Sequence, residues 1–190
     1  WPFTDDTTGV RMRRTLINLH LYAAAFLAPM FLLVAISGGL YLIGNKGSVD
    51  STELTLAKDA ELDPGSASLE DDIRVLLEDA GVEFSFEYVK VSGNSVTTRP
   101  TSRTHFVFSV SDGVVAAVRN EPNLQKSMIE LHKGHGPTLF KEFQKVLAVG
   151  LLFVVLSGMW LGISSKGLRL PTLAVSGAGL VLFVILAVLM

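Results

Sequence analysis

Cysteine is absent from the 190 residues. Its absence excludes disulfide scaffolds, zinc–thiolate sites, iron–sulfur clusters and cysteine nucleophiles. Charge is also scarce, at 18% Asp, Glu, Lys and Arg, and a net charge of −2 gives no footprint for a nucleic-acid partner. There is no G-x-S-x-G elbow, P-loop, H-E-x-x-H or G-x-G-x-x-G. The chain opens on Trp1 rather than methionine, so preceding sequence is expected. What is abundant is apolar surface. Hydrophobic residues make up 49% of the chain and are concentrated at its two ends, with a mean hydropathy of +0.45.

Leu16 to Gly44 contains no charged residue. A helix needs ~20 apolar residues to cross ~30 Å of hydrocarbon, so this run spans with length to spare. Pro29 sits near its centre and removes one backbone bond, which predicts a kink. A second apolar run covers Val146 to Ile163 and a third Leu173 to Met190. The short polar hinge between them, from Ser164 to Pro171, forces an antiparallel helical hairpin. Arg11, Arg13 and Arg14 precede the first span, and Lys166 and Arg169 lie in the hinge. These two basic clusters fall on one side of the membrane, and positive residues mark that side as cytoplasmic.

The polar middle holds nine lysines and arginines against fifteen aspartates and glutamates, a balance of −6. Ser68 is placed to cap a helix whose apolar stripe is Leu69, Ile73, Leu76 and Leu77, ending at Gly81. Glu83 to Val91 alternates as a strand, Ser92-Gly93-Asn94 turns, and Ser95 to Arg99 is a second strand stopped by Pro100. Thr104 to Val110, the turn Ser111-Asp112-Gly113 and Val114 to Val118 complete the meander. Pro122 then starts a helix carrying Leu124, Met128 and Leu131 on one face. The expected fold class is membrane α+β: three transmembrane helices and one extracytoplasmic domain of helix, antiparallel meander of about four strands, and helix. The segments are a cytoplasmic N-terminus 1–15, transmembrane helix 16–44, domain 45–136, transmembrane helix 137–164, cytoplasmic hairpin loop 165–171 and transmembrane helix 172–190.

Several short motifs follow one another in a telling order. An Arg-rich start leads to Leu19-His20-Leu21-Tyr22, and the first span ends Ile36-Ser37-Gly38-Gly39-Leu40-Tyr41. After the polar domain, Leu131-His132-Lys133-Gly134-His135-Gly136 leads a second span ending Leu156-Ser157-Gly158. In this order and spacing the chain resembles the PepSY-associated transmembrane helix proteins over nearly its whole length. The resemblance implies a multi-pass protein of the bacterial inner membrane with a PepSY-like domain on the periplasmic side. It also implies a link to iron acquisition, since some larger members, with an additional span, are haem-bearing reductases of ferric siderophores. PepSY domains otherwise occur as inhibitory or partner-binding modules.

Histidine is costly in hydrocarbon, which makes His20, His132 and His135 candidate haem or metal ligands. His20 lies six residues past Arg14, roughly 9 Å along the axis at the inner edge of the bilayer. His132 and His135 lie at the outer interface, about 30 Å away. Two axial ligands of one haem b must face each other at one depth, so the missing ligands would come from a second copy or another subunit. His132 and His135, if helical, share one face and could touch a small metal ion, although Gly134 and Gly136 leave that conformation open. The plainer readings are a His20 bond to a neighbouring helix's carbonyl or hydroxyl, or to headgroups, and interfacial seats for the other two. His105, on a strand of the meander, reads as a surface or half-buried strand residue.

Gly158-x-x-x-Gly162 with Gly150 in the second span forms a small-residue seam of the kind that lets membrane helices approach closely. Ser176, Gly177 and Gly179 in the third span, and Ala24, Ala28, Ala35 and Gly39 in the first, are similar. They serve contacts within the three-helix unit or docking onto another subunit. The favoured expectation is a non-catalytic subunit that stabilises a larger membrane protein complex or homo-oligomer in the lipid bilayer. The alternative is b-type haem electron transfer for iron or siderophore reduction.

Overall fold

The computed structural model describes residues 6–111 and 113–189. The first five residues of segment 1–15, Asp112 of the Ser111-Asp112-Gly113 turn and the final residue of the third span lie outside them. The chain divides into two compact units, Trp1–Pro29 with Val146–Met190, and Met30–Lys145. Three helices are long and apolar enough to cross a membrane, over Gly9–Leu42, Thr138–Ser164 and Arg169–Val188.

Helix α1 (Asp6–Leu42) contains Pro29 and continues past it. A proline is tolerated in such a helix because neighbouring groups re-satisfy the freed carbonyl. In the first unit α1 meets α4 (Thr138–Ser164) at a notch, where Leu27 is buried against Gly150. A Cβ at Gly150 would stand 2.5 Å from Leu27 Cδ1, so the leucine side chain occupies the space a larger residue would need. The third helix, α5 (Arg169–Val184), ends in a π turn over Ile185–Leu189. Thr172 near its start rests on Gly162 of α4 in the same way.

The second unit is built on a five-stranded antiparallel sheet with strand order β1-β5-β4-β3-β2. The strands are β1 (Val49–Leu54), β2 (Tyr88–Ser92), β3 (Ser95–Arg99), β4 (His105–Ser111) and β5 (Val114–Pro122). The sequence predicted about four. The additional one, β1, is an edge strand whose four central residues are exposed, so it has no apolar alternation to betray it. Strand β2 begins at Tyr88, five residues later than predicted. Phe84 and Phe86 ahead of it still reach the core, Phe84 meeting Phe106 edge-on with ring centroids 4.9 Å apart.

One face of the sheet presents Val96, Phe106, Phe108 and Ala117, and helix α2 (Leu69–Asp79) covers it with Leu69, Ile73 and Leu77. Each such side chain, fully buried, contributes ~1.5–3 kcal/mol. Ser68 holds the N-cap position of α2 as predicted, but its hydroxyl donates to the Asp72 carboxylate rather than accepting from a backbone N–H. Gly81 closes the helix at φ +72°, a conformation that glycine adopts without penalty.

Helix α3 (Leu124–His132) is capped by Asn123, whose side chain accepts from the Lys126 N–H at 2.8 Å. Pro122 therefore ends β5 and does not start the helix. Leu124 is exposed, and the residues α3 buries are Ile129 and Glu130. The start of α4 is tied to the sheet, because Thr138 donates from its N–H and its hydroxyl to Glu87, both at 2.7 Å. These bonds hold the Glu87 carboxyl below its ordinary value, and a carboxylate at a helix N-terminus is favoured by the helix dipole.

Candidate functional site

Each of the two histidines on the helices has a serine–glycine step as its seat. In the first unit His20 Nδ1 lies 2.8 Å from the Ser157 hydroxyl, which also donates to the Val154 carbonyl at 3.2 Å. The Ser157 oxygen can accept from an Nδ1–H while its own proton goes to that carbonyl. The ring edge rests on the next residue, Gly158, where a Cβ would stand 3.1 Å from His20 Cε1.

The second unit repeats the arrangement. His132 Nδ1 lies 3.0 Å from the hydroxyl of Ser37, which is completely buried and donates to the Val34 carbonyl at 3.3 Å. A Cβ at Gly38 would stand 3.4 Å from His132 Cε1. The pattern Val-x-x-Ser-Gly thus occurs twice, each time receiving one imidazole, closely at Gly158 and at ordinary contact distance at Gly38. The Ser157 hydroxyl is one of the partners the sequence offered His20.

His135 is not on the helix with His132. Helix α3 stops at His132, and Gly134 takes the left-handed conformation at φ +77°. His135 instead turns to Glu130, with Nδ1 2.7 Å from Oε2. The two neighbours therefore serve different partners and do not face a common ion. Among the described residues no group of three His, Asp or Glu side chains is placed to hold a metal.

The Glu130–His135 pair belongs to a cleft of about 310 Å³ on the sheet face opposite α2. Cross-strand register builds its floor. Ser51 of β1 pairs with Asn120 of β5, and Asn120 pairs with His105 of β4, so the three share one face. Arg99 at the end of β3, Thr101, and Lys126 and Glu130 of α3 complete the wall. Arg99 Nη1 donates to the Thr101 hydroxyl at 2.9 Å, and that hydroxyl donates to Glu130 Oε2 at 2.9 Å. Lys126 and Lys133 hold Oε1 at 3.1 and 3.3 Å. Burial pushes the Glu130 carboxyl up, but the bonds from His135, Lys126 and Thr101 and the charge on Lys126 outweigh it and hold the group at about 2. Glu130 is 5% exposed and ionised.

His105 is buried rather than half-exposed, at 8%. Its Nδ1 lies 2.9 Å from the Arg103 carbonyl, which can only accept, so the ring donates there and presents Nε2 as an acceptor. Burial pushes its pKa below the ordinary value, against the raising effect of that carbonyl. Sequence reading named His135 but missed Arg99, Thr101, His105 and Glu130 as a group. They come from four segments that only strand register and the α3 contact bring together. The one local signal is Glu130, a carboxylate four residues after Lys126 and five before His135.

The small residues separate into two classes. Gly150, Gly158 and Gly162 are filled by Leu27, His20 and Thr172. At Gly39, Gly177 and Gly179 an added Cβ would meet nothing within 4 Å. Ala24 and Ala28 are half-buried, whereas Ala35 is exposed and α5 buries none of its residues, Ser176 included. A family model described as "Putative PepSY_TM-like" matches residues 13–190. No curated protein and no solved structure matches the chain.

Proposed function

The chain belongs to the PepSY_TM-like family, and we propose that it is a non-catalytic subunit of the bacterial inner membrane that binds and stabilises a larger membrane assembly. Its N-terminus and the α4–α5 loop lie in the cytoplasm, and the sheet domain, within residues 45–136, lies in the periplasm. The orientation rests on the basic residues Arg11, Arg13, Arg14, Lys166 and Arg169.

One observation carries the reading: Gly177 and Gly179 lie on a helix none of whose residues is buried, and open space stands where their side chains would be. Small residues in a membrane helix favour close helix packing, and those on α4 already serve packing inside the chain. Those on α5 are left for a helix of another subunit. Affinity purification from native membranes tests this. The wild-type chain is expected to bring down a membrane protein or a second copy, and Gly177→Leu to lose it while remaining folded. A wild-type chain that emerges as a lone stable monomer contradicts the proposal.

A second reading is b-type haem electron transfer, favoured by one detail. His20 and His132 are both held at Nδ1 by serine, leaving Nε2 without a hydrogen bond among the described residues, the way a hydrogen bond at one ring nitrogen orients an axial ligand that binds through the other. Within either unit no two of these histidines face one point: His20 is the sole histidine of its unit, and His132 and His135 turn to different partners. In this reading a haem, which would supply one-electron transfer, takes its remaining ligands from a second copy or another subunit. An absorption spectrum of the protein from native membranes separates the readings, since a Soret band lost on His20→Ala supports haem at that residue.

A further inference from the structure

We propose that the cleft on the second face of the sheet binds a small carboxylate through the Arg99 guanidinium. The site is independent of the membrane-partner reading, because every residue lining it lies between Val49 and His135, outside the candidate spans.

Arg99 is 8% exposed and, among the described residues, hydrogen-bonded at one corner only. Nη1 donates to Thr101, whereas Nε is buried without any acceptor, and Nη2 makes no hydrogen bond among the described residues. Nε–H and Nη2–H lie on one edge of the guanidinium plane, the edge that takes the two oxygens of a carboxylate in parallel bonds. A buried N–H left without a partner costs free energy that an entering acceptor would restore. Among the described residues no acceptor meets Nε. The nearby carboxylate, Glu130, already takes Thr101, His135, Lys126 and Lys133.

The charges around the cleft select the sign and the size of the ligand. Arg99 and Lys126, with Lys133 behind the Glu130 carboxylate, outnumber that one carboxylate and leave the cleft net positive, in a domain that is otherwise acidic. A net positive cleft suits an anion and disfavours a metal cation. A cleft of about 310 Å³ is at the small end of ligand sites, enough for a small organic acid. His105 Nε2 is an acceptor on the same floor, so a carboxylate that also carries a hydroxyl donor fits better than one without.

The test uses the full chain in detergent micelles and calorimetric titration with lactate, propionate and inorganic phosphate. Lactate is expected to bind saturably with 1:1 stoichiometry, propionate more weakly, and phosphate more weakly than lactate. Arg99→Lys, which keeps the charge but removes the paired edge, is expected to weaken lactate at least tenfold. Ser51→Leu, on the exposed part of the edge strand, fills the cleft without touching the buried network and is expected to abolish binding if Arg99→Lys proves unfolded. An absence of saturable binding overturns the proposal. So does phosphate binding as tightly as lactate, or lactate affinity unchanged in folded Arg99→Lys or Ser51→Leu.

Discussion

Glu130 shows how a single residue organises this domain. It is a carboxylate on a helix that packs towards a sheet, a position that normally takes an apolar side chain. It is tolerated because Thr101, His135, Lys126 and Lys133 all donate to it. Its folded-state pKa of about 2 lies below the ordinary 4.5. A depressed carboxylate stabilises the fold above its unfolded value, and that contribution is lost as pH falls through the folded value. Amide protection in α3 and β4 should therefore decline between about pH 4.5 and 2. In Glu130→Gln this pH dependence should disappear, at a constant cost of ~1–3 kcal/mol from donors left with a poorer acceptor. Protection that falls equally in both proteins over that range would place the acid sensitivity elsewhere. At this scale the sequence told little, since His105 gave no sign of burial and Arg99 looked like the end of a strand.

At the scale of elements, much was readable. The stripe Leu69, Ile73, Leu77 gave α2, and the hairpin turn at Gly93 gave β2 and β3, because local periodicity and turn chemistry decide both. The failures share a cause. Strand β1 is polar because it lies at an edge, and Phe84 and Phe86 imitate strand alternation while burying from a loop. The glycine seams were visible as composition, but which of them are filled depends on the neighbouring helix. That division predicts unequal mutants. Gly158→Leu must displace the His20 ring, 3.1 Å from where the new Cβ would stand, and overpacking of this kind costs ~1–3 kcal/mol. Gly177→Leu enters open space and should leave the thermal midpoint in micelles within a degree or two of wild type. Equal destabilisation by the two would mean that the Gly177 face of α5 packs inside its own chain.

For the whole molecule, three apolar helices and an antiparallel α+β domain were legible from the distribution of charge, because hydrocarbon imposes a length and a composition that nothing else in the chain imitates. The carboxylate cleft was not legible, since it exists only where β1, β3, β4, β5 and α3 converge. The proposal of a membrane subunit that presents its sheet domain to the periplasm stands on how the chain is threaded. Because the protein has no cysteine, single-cysteine labelling reads that threading directly. With a membrane-impermeant maleimide on intact spheroplasts, Ser66→Cys in the sheet domain is expected to label, and Ser165→Cys in the α4–α5 loop only after permeabilisation. Labelling of Ser165→Cys from outside, with Ser66→Cys protected, would contradict the account.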